Sequence, residues 1–400
     1  MKTRTRYVHS PRQIENPYDP TSVPIFQTAT FGQSEATAFD EFDYSRSGNP
    51  TRQVLEQQLA RLENAQHAFA FASGMAALSA LLRLCKAGDE ILVGDEIYGG
   101  TFRLLHDLAP RLGLKARTVD TTRSACVAKA IRPETKLLLL ETPSNPTLRI
   151  SDLEALSSIK KARGVTLAVD NTMLSPYLQN PLDHGVDVVV HSATKHLNGH
   201  GDVMAGVVMT SDDDIAQAIG FVQNAEGSAL GPFDSWLLLR GLSTLPIRLE
   251  AQQRNAKVIA DWLVQRYSMG DVYFPTLADH PGWEIQVRQA RGGGCVISFR
   301  AGSYERAQRI VQDTRLFRTS VSFGCFSSSI SIPNCMSHAC VHEDALFSTK
   351  AIPDDLVRLS VGIEDVEDLI EDLDLALGQP VQNEKEGVGS LLTKGATIDG

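Results

Sequence analysis

The 400-residue chain contains no uninterrupted apolar run of about 18 residues, which is the length that a membrane-spanning helix requires. It also has no excess of positive charge, since its formal net charge is -10. Such a chain is poorly suited to nonspecific binding of nucleic acids or anionic membranes. We therefore expect neither a nucleic acid nor a membrane as a partner.

Cysteine is scarce, with six residues at irregular spacing, so reduced thiols are expected rather than a disulfide framework. Two of them form a cluster with two histidines: Cys335, His338, Cys340 and His342. A structural zinc site usually needs two paired ligand sets, and the sequence shows no second set. We expect no metal.

The first twenty residues carry positive charge but no apolar segment, unlike a secretory signal, which favours a cytoplasmic location. Four hundred residues exceed what one hydrophobic core normally serves, so two domains are expected. We predict an N-terminal arm (1–52), a large domain (53–245), a smaller C-terminal domain (246–380) and a flexible tail (381–400), with a connecting helix around 246–262.

Short apolar segments alternate with helical patterns along the large domain. The strand candidates are 68–73, 90–95, 136–142, 166–171, 186–192 and 203–210, and the C-terminal domain adds 295–300 and 356–362. Near-continuous apolar strands suit burial on both faces, which predicts an α/β fold with a mostly parallel sheet between helices. In such sheets ligands bind beyond the carboxyl ends of the strands.

Two of these strands are followed by residues that suit an anionic, aromatic ligand. Gly74 and Met75 follow the first strand and open a helix, where backbone amides can hold a phosphate. Asp170 ends a buried strand and needs a cation, such as a protonated pyridine nitrogen. Each has an ordinary alternative, a plain turn and a helix-capping Asp.

Lys195 directly follows a third strand, a position where burial lowers the pKa of an amine for Schiff-base chemistry. Ser192 and Thr194 alternate with it and are candidate hydrogen-bond donors to a phosphate. A single lysine at a strand end is usually a solvated residue. The phosphate turn, Asp170 and Lys195 at one predicted sheet edge make coincidence much less plausible.

Several longer strings then carry a resemblance across residues 7–377. They are YSRSGNPTR (44–52), FASGMAA (71–77), DEIYGGT (95–101), ETPSNP (141–146), AVDN (168–171), HSATKHLNGHGDV (191–203) and LVRLSVGIED (356–365). The chain resembles the Cys/Met-metabolism family of fold-type-I pyridoxal-phosphate enzymes. Segments 223–241 and 321–339 are most similar to plant-type cystathionine β-lyases.

The resemblance implies a cofactor, pyridoxal 5′-phosphate, and a role for each matching residue. Lys195 would bind the cofactor covalently and move the substrate Cα proton, Asp170 would pair with the pyridine nitrogen, and Tyr98 would stack on the ring. The phosphate would be bound by Gly74, Met75, Ser192 and Thr194, and by Tyr44 and Arg46 of a neighbouring subunit. The resemblance thus implies a homo-oligomer, commonly a homotetramer built from two dimers.

For the substrate, the resemblance implies that Arg358 binds the α-carboxylate with help from Asn145 and Ser322. The implied reaction is β-elimination of cystathionine to homocysteine, pyruvate and ammonia. Val321 supports this reaction, because γ-acting relatives usually carry Glu there, and Gly100 differs from the Cys of methionine γ-lyases. A cystathionine γ-lyase or γ-synthase, a lyase for another cysteine conjugate, and a noncatalytic binding protein remain alternatives.

Overall fold

The structure is a computed structural model that describes residues 1–10, 14, 18–267, 271–339 and 351–378. The predicted tail, together with Cys340 and His342, lies outside these residues. None of the helices in the described ranges combines the length and apolarity needed to cross a bilayer.

The elements alternate along the chain as the sequence predicts. The helices are α1 (Thr3–Val8), α2 (Pro50–Glu63), α3 (Gly74–Leu82), α4 (Gly99–Arg103), α5 (Ser124–Ala130), α6 (Leu153–Arg163), α7 (Ser175–Leu178), α8 (Asp213–Glu226), α9 (Pro232–Arg266), α10 (Trp283–Gln289), α11 (Tyr304–Asp313) and α12 (Val366–Leu377). The strands are β1 (His67–Phe71), β2 (Glu90–Gly94), β3 (Lys115–Val119), β4 (Thr135–Glu141), β5 (Thr166–Asp170), β6 (Val188–Ser192), β7 (Gly206–Thr210), β8 (Val272–Tyr273), β9 (Val296–Arg300), β10 (Arg318–Thr319), β11 (Ser329–Ser331) and β12 (Leu356–Ser360). A π-helical turn (Leu104–Leu108) and short 3₁₀ helices (Ala109–Leu112, Pro181–His184, Pro333–Cys335) complete the described set.

Strands β1 to β7 form one sheet in the order β1-β7-β6-β5-β4-β2-β3. Strand β7 is antiparallel to both of its neighbours, and the other pairings are parallel, which confirms a mostly parallel sheet. Alternation along β4 shows why the strands read as apolar runs. Leu138 and Leu140 enter the core on one face, whereas Leu137 and Leu139 enter the core on the other.

Strand β3 was not among the predicted strands. It lies at the edge of the sheet, and none of its residues is fully buried. Its sequence, KARTV, therefore needs no apolar run, and Arg117 instead donates to the carboxylate of Glu90 on the neighbouring strand, at 2.9 and 3.1 Å. An edge strand of this kind has a weak hydrophobic signal.

Helix α9 links the two hydrophobic cores. Its first part, including Leu238 and Leu249, packs on the core of the large sheet, whereas Ala256 and Leu263 pack on the core of the C-terminal sheet, ordered β10-β11-β12-β9-β8. The helix begins at Pro232, well before the predicted start near residue 246, because Pro246 interrupts the sequence signal without ending the helix. The domain division itself stays a proposal.

Within the predicted N-terminal arm, residues 29–31 pair briefly with residues 43–45. The amide of Phe31 donates to Asp43 O at 2.8 Å, and the amide of Ser45 donates to Ala29 O at 2.8 Å. Arg52, buried on α2, donates to the backbone carbonyls of Ser45 and Arg46 at 2.7 and 3.2 Å. The two Arg52 bonds hold residues 45 and 46 against the first turn of α2.

Candidate active site

A cavity of about 340 Å³ lies where the carboxyl ends of β1, β4, β5 and β6 meet the segment before β11 and strand β12. Ten of the twelve predicted site residues line it: Gly74, Met75, Tyr98, Asn145, Asp170, Ser192, Thr194, Lys195, Ser322 and Arg358. Parallel strands bring residues that are distant in sequence to one edge of the sheet. The structure thus places the residues that follow the strands next to one another, as predicted.

One end of the cavity is the N-terminus of α3. The side chain of Ser73 accepts the amide of Ala76 at 3.1 Å, and its carbonyl accepts the amide of Ala77. Among the described residues this leaves the amides of Gly74 and Met75 without a protein acceptor, as expected for the first turn of a helix.

Glycine is required at residue 74 because the backbone passes close to β6. A Cβ on Gly74 would lie 2.9 Å from the Cβ of Ser192. The hydroxyl of Thr194 is already engaged, since it accepts the amide of Ala205 at 3.0 Å and donates to its carbonyl at 3.2 Å. Thus Ser192 lies beside the helix terminus, and Thr194 is tied to the loop that leads into β7.

Lys195 is half-buried and lines the cavity, and its Nζ donates to the Ser322 hydroxyl. Its ammonium also lies 5.4 Å from the centroid of the Phe323 ring. Burial, assisted by the charge of Arg358 and opposed by Asp170, lowers the pKa of Lys195 to about 8. About a tenth of this amine is therefore uncharged at about pH 7.

Asp170 ends β5, and its carboxylate accepts both the amide of Thr172, at 2.9 Å, and the Thr172 hydroxyl. Its neighbour in the register is Glu141, which ends β4 and also lines the cavity. Burial raises the pKa of both carboxyl groups, and the charge of Asp170 raises the pKa of Glu141 well above its ordinary range. The two donors favour the charged form of Asp170, whereas burial and the neighbouring charge favour the protonated form of Glu141.

Tyr98 precedes α4 and presents its ring to the cavity. Its backbone amide donates to Glu141 Oε1 at 2.9 Å, so the strand-end carboxyl holds the Tyr98 backbone. A Cβ at residue 100 would lie 2.4 Å from a Tyr98 ring carbon and 2.7 Å from Met75 Sδ. In this arrangement, Gly100 leaves that space to the Tyr98 ring.

Arg358 lies on β12, a central strand of the C-terminal sheet, and is 2% exposed. Its Nη1 donates to Asn145 Oδ1 and its Nη2 donates to Ser322 O, both at 2.9 Å. Burial lowers the pKa of Arg358 to about 10, so it stays charged at neutral pH. Ser322 has a φ of 84°, an unusual value that points its carbonyl at Arg358 and its hydroxyl at Lys195.

Tyr44 and Arg46 are not among the residues that line this cavity. Both are exposed, Arg46 Nη1 donates to the carbonyl of Asn224 at 3.0 Å, and its guanidinium lies 5.3 Å from the centroid of the Tyr44 ring. They therefore lie elsewhere on the surface of their own chain.

Several other cavity residues were not singled out from the sequence, among them Glu141, Arg103, Phe323 and Ser337. Glu141 had an available signal, because it ends a strand like Asp170. Arg103 ends α4 five residues beyond Tyr98, and only the helical geometry returns it to the cavity.

Comparison with known proteins agrees with this geometry. Residues 4–378 match the family described as Cys/Met metabolism PLP-dependent enzyme. The chain is 48% identical to a chloroplastic cystathionine β-lyase of Arabidopsis thaliana over 361 residues, 90% of this chain and 78% of the relative. It is also 43% identical to a cystathionine γ-lyase of Bacillus subtilis, covering 94% of this chain and 99% of that protein.

Solved structures show the same architecture. The structure of a cystathionine γ-lyase from Lactobacillus plantarum with L-serine superposes with a TM-score of 0.89 at 39% identity, covering 94% of this chain and 98% of that chain. A cystathionine γ-synthase from Xanthomonas oryzae pv. oryzae with cystathionine gives a TM-score of 0.90 at 39% identity and the same coverage. The predicted fold is confirmed.

Proposed function

This chain belongs to the Cys/Met metabolism family of pyridoxal-phosphate-dependent enzymes, and we propose that its reaction is the β-elimination of cystathionine to homocysteine, pyruvate and ammonia. Membership in the family confirms the predicted cofactor and the predicted class of enzyme. The observation that carries the proposal is that one cavity holds Lys195, Asp170 and Arg358 together with an uncharged Val321.

The residues present fit pyridoxal phosphate. The amides of Gly74 and Met75 point from the start of α3 and suit a phosphate, and the close approach of Gly74 to Ser192 leaves no side chain in the way. Asp170 offers an anionic partner for a protonated pyridine nitrogen, and Tyr98 offers an aromatic face. Lys195 supplies an amine of lowered pKa for covalent attachment.

When bound, the cofactor supplies an electron sink for the negative charge that develops at the substrate Cα. Lys195 Nζ is the base that takes the Cα proton, and the Ser322 hydroxyl holds that nitrogen within the cavity. Proton removal at Cα allows the bond between Cβ and sulfur to break, and the leaving thiolate takes the proton held by Lys195 to give homocysteine. Hydrolysis of the released three-carbon enamine by water gives pyruvate and ammonia. We propose these roles for Lys195 and Ser322 in this chain.

Arg358 suits an α-carboxylate because two of its donors are already fixed by Asn145 and Ser322, which orients the guanidinium before substrate binds. Cystathionine carries a second amino-acid group beyond its sulfur. Arg103 supplies a further cation on the cavity wall, and we propose that it attracts this distal carboxylate.

Val321 favours β- over γ-elimination. It lines the cavity next to Ser322, is 57% exposed, and has neither a titratable group nor a hydrogen-bonding atom. γ-Elimination requires additional proton transfers, which a carboxylate at this position could assist. The second candidate is γ-cleavage of cystathionine. It is supported by the similarity to the B. subtilis and L. plantarum proteins, both of which are named cystathionine γ-lyases.

Product analysis of the native holoenzyme with cystathionine tests the proposal. Pyruvate with homocysteine indicates β-cleavage, and 2-oxobutyrate with cysteine indicates γ-cleavage. Val321→Glu should increase the share of 2-oxobutyrate, and the matched Val321→Gln, of similar size but without the charge, should not. Mostly 2-oxobutyrate from the native enzyme would overturn the β-assignment and leave the cofactor assignment intact.

We also propose that Tyr44 and Arg46 serve the phosphate site of a neighbouring subunit in a homotetramer. Their exposure and their absence from the cavity of their own chain support this role, and Arg52 holds the backbone carbonyl of Arg46 in place. We propose a cytoplasmic location as well. The cysteines in the described ranges are free thiols, which suits a reducing compartment.

A further inference from the structure

His338 belonged to the possible metal cluster in the sequence, yet its surroundings in the structure indicate a different role. It is 1% exposed, and both of its ring nitrogens are engaged. Nε2 lies 3.1 Å from the backbone carbonyl oxygen of Asn145, and Nδ1 lies 2.8 Å from the hydroxyl oxygen of Ser337. Neither nitrogen is left for a metal ion.

These contacts define the tautomer of the ring. A carbonyl oxygen only accepts hydrogen bonds, so Nε2 carries the hydrogen and donates to Asn145 O. Nδ1 therefore accepts the Ser337 hydroxyl. Burial and the nearby Arg358 charge lower the pKa of His338 to about 3, so the ring is neutral near neutral pH.

The hydrogen bond from His338 reaches the substrate site through one residue. Asn145 receives His338 at its backbone oxygen and Arg358 at its side-chain oxygen, 2.9 Å from Nη1. The His338 ring also stands perpendicular to the Tyr98 ring, with the centroids 6.3 Å apart. His338 thus contacts three residues that line the cavity, Tyr98, Asn145 and Ser337, and does not itself line it.

We propose that His338 is a positioning residue: its Nε2–H fixes Asn145, and through Asn145 it fixes the guanidinium of Arg358 for the carboxylate of the substrate. This role rests on the proposed function of Arg358. In this role His338 acts as a neutral hydrogen-bond donor, and it neither transfers protons nor binds a metal.

The test compares two polar replacements in the holoenzyme. In His338→Gln the amide nitrogen can take the place of Nε2 and donate to Asn145 O, whereas in His338→Asn the amide is too short to reach it. We expect His338→Asn to raise KM for cystathionine roughly five- to tenfold, the value of about one hydrogen bond, while kcat changes little. His338→Gln should keep a KM close to native.

Binding of L-alanine, followed by the visible absorption of the bound cofactor, separates this proposal from the proposed reaction. L-Alanine has the α-carboxylate but no leaving group, so it reports on the Arg358 site even if cystathionine is not the substrate. His338→Asn should weaken L-alanine binding by the same factor as KM rises, and His338→Gln should restore it.

Equal affinities of the two variants for L-alanine, or a native affinity in His338→Asn, would overturn the proposal. A residue that only fills space would lower thermal stability when replaced, but it would not make the Asn and Gln variants differ in L-alanine affinity. If His338→Asn does not fold, His338→Gln still decides the point, because weakened L-alanine binding in it contradicts the donor role.

Discussion

Lys195 should attach pyridoxal phosphate with a pH dependence set by its buried position. Covalent attachment requires the uncharged amine, and the pKa of Lys195 is lowered from 10.5 to about 8. At about pH 7, a lysine of pKa 8 is uncharged in about a tenth of molecules, about 300 times more than an ordinary lysine. Attachment should therefore be efficient at neutral pH.

The assay uses enzyme from which the cofactor has been removed. The rate of covalent attachment of added pyridoxal phosphate is followed by its change in visible absorption from about pH 6 to about pH 10. We expect the rate constant to rise about tenfold for each unit of pH and to level off near pH 8. Noncovalent binding of pyridoxine phosphate, which lacks the aldehyde, corrects for titration of the phosphate.

Arg358→Gln provides the matched perturbation. The Arg358 charge helps to lower the pKa of Lys195, so a neutral side chain of similar reach should move the levelling point to higher pH. A native rate that keeps rising through about pH 10 would refute the reasoning, because it would mean that Lys195 titrates as an ordinary lysine.

Three further outcomes are expected. Arg46→Ala and Lys195→Ala should each be poorly active. When subunits of the two variants are mixed and reassembled, part of the activity should return. No return of activity would place Arg46 in the site of its own subunit. Glu141→Gln keeps an uncharged acceptor for the Tyr98 amide and should stay active. Glu141→Ala removes this acceptor, so it should lose about 1 kcal/mol of stabilisation at the Tyr98 backbone and shift the visible absorption of the bound cofactor. An inactive Glu141→Gln would show that the carboxylate charge is needed. Arg103→Gln should raise KM for cystathionine severalfold but barely change KM for S-methylcysteine, which lacks the distal carboxylate. Equal effects on the two substrates would contradict the proposal that Arg103 attracts this carboxylate.

The cofactor side of the site was predictable because it follows from a simple rule of sheet geometry. Asp170 and Lys195 come directly after apolar runs, and parallel strands place such residues at one edge. The apolar runs were visible because both faces of β4 and its neighbours are buried, as Leu137 and Leu138 show. The family resemblance then added Tyr98 and Arg358, whose residue types alone carry no signal.

Features that depend on side-chain contacts between distant segments were not predictable in this way. Strand β3 replaces an apolar face with the Arg117–Glu90 pair, and the first half of α9 is obscured by Pro246. His338 was read with the cysteines beside it in sequence, yet its partner is Asn145, which lies 193 residues away. Periodicity and composition contain no information about such pairings.

In the proposed function, cofactor attachment and the choice between β- and γ-elimination depend on two different parts of the fold. Asp170, Lys195 and the start of α3 lie at the ends of strands of the large sheet. Val321 lies between β10 and β11 of the C-terminal sheet, and Arg358 lies on β12 of the same sheet. Arg358 is hydrogen-bonded to Asn145, which follows strand β4 of the large sheet. A change at exposed Val321 should therefore alter the products without altering the pH dependence of attachment, whereas a change at Arg358 should alter both, since its charge acts on Lys195 and its hydrogen bonds orient Asn145.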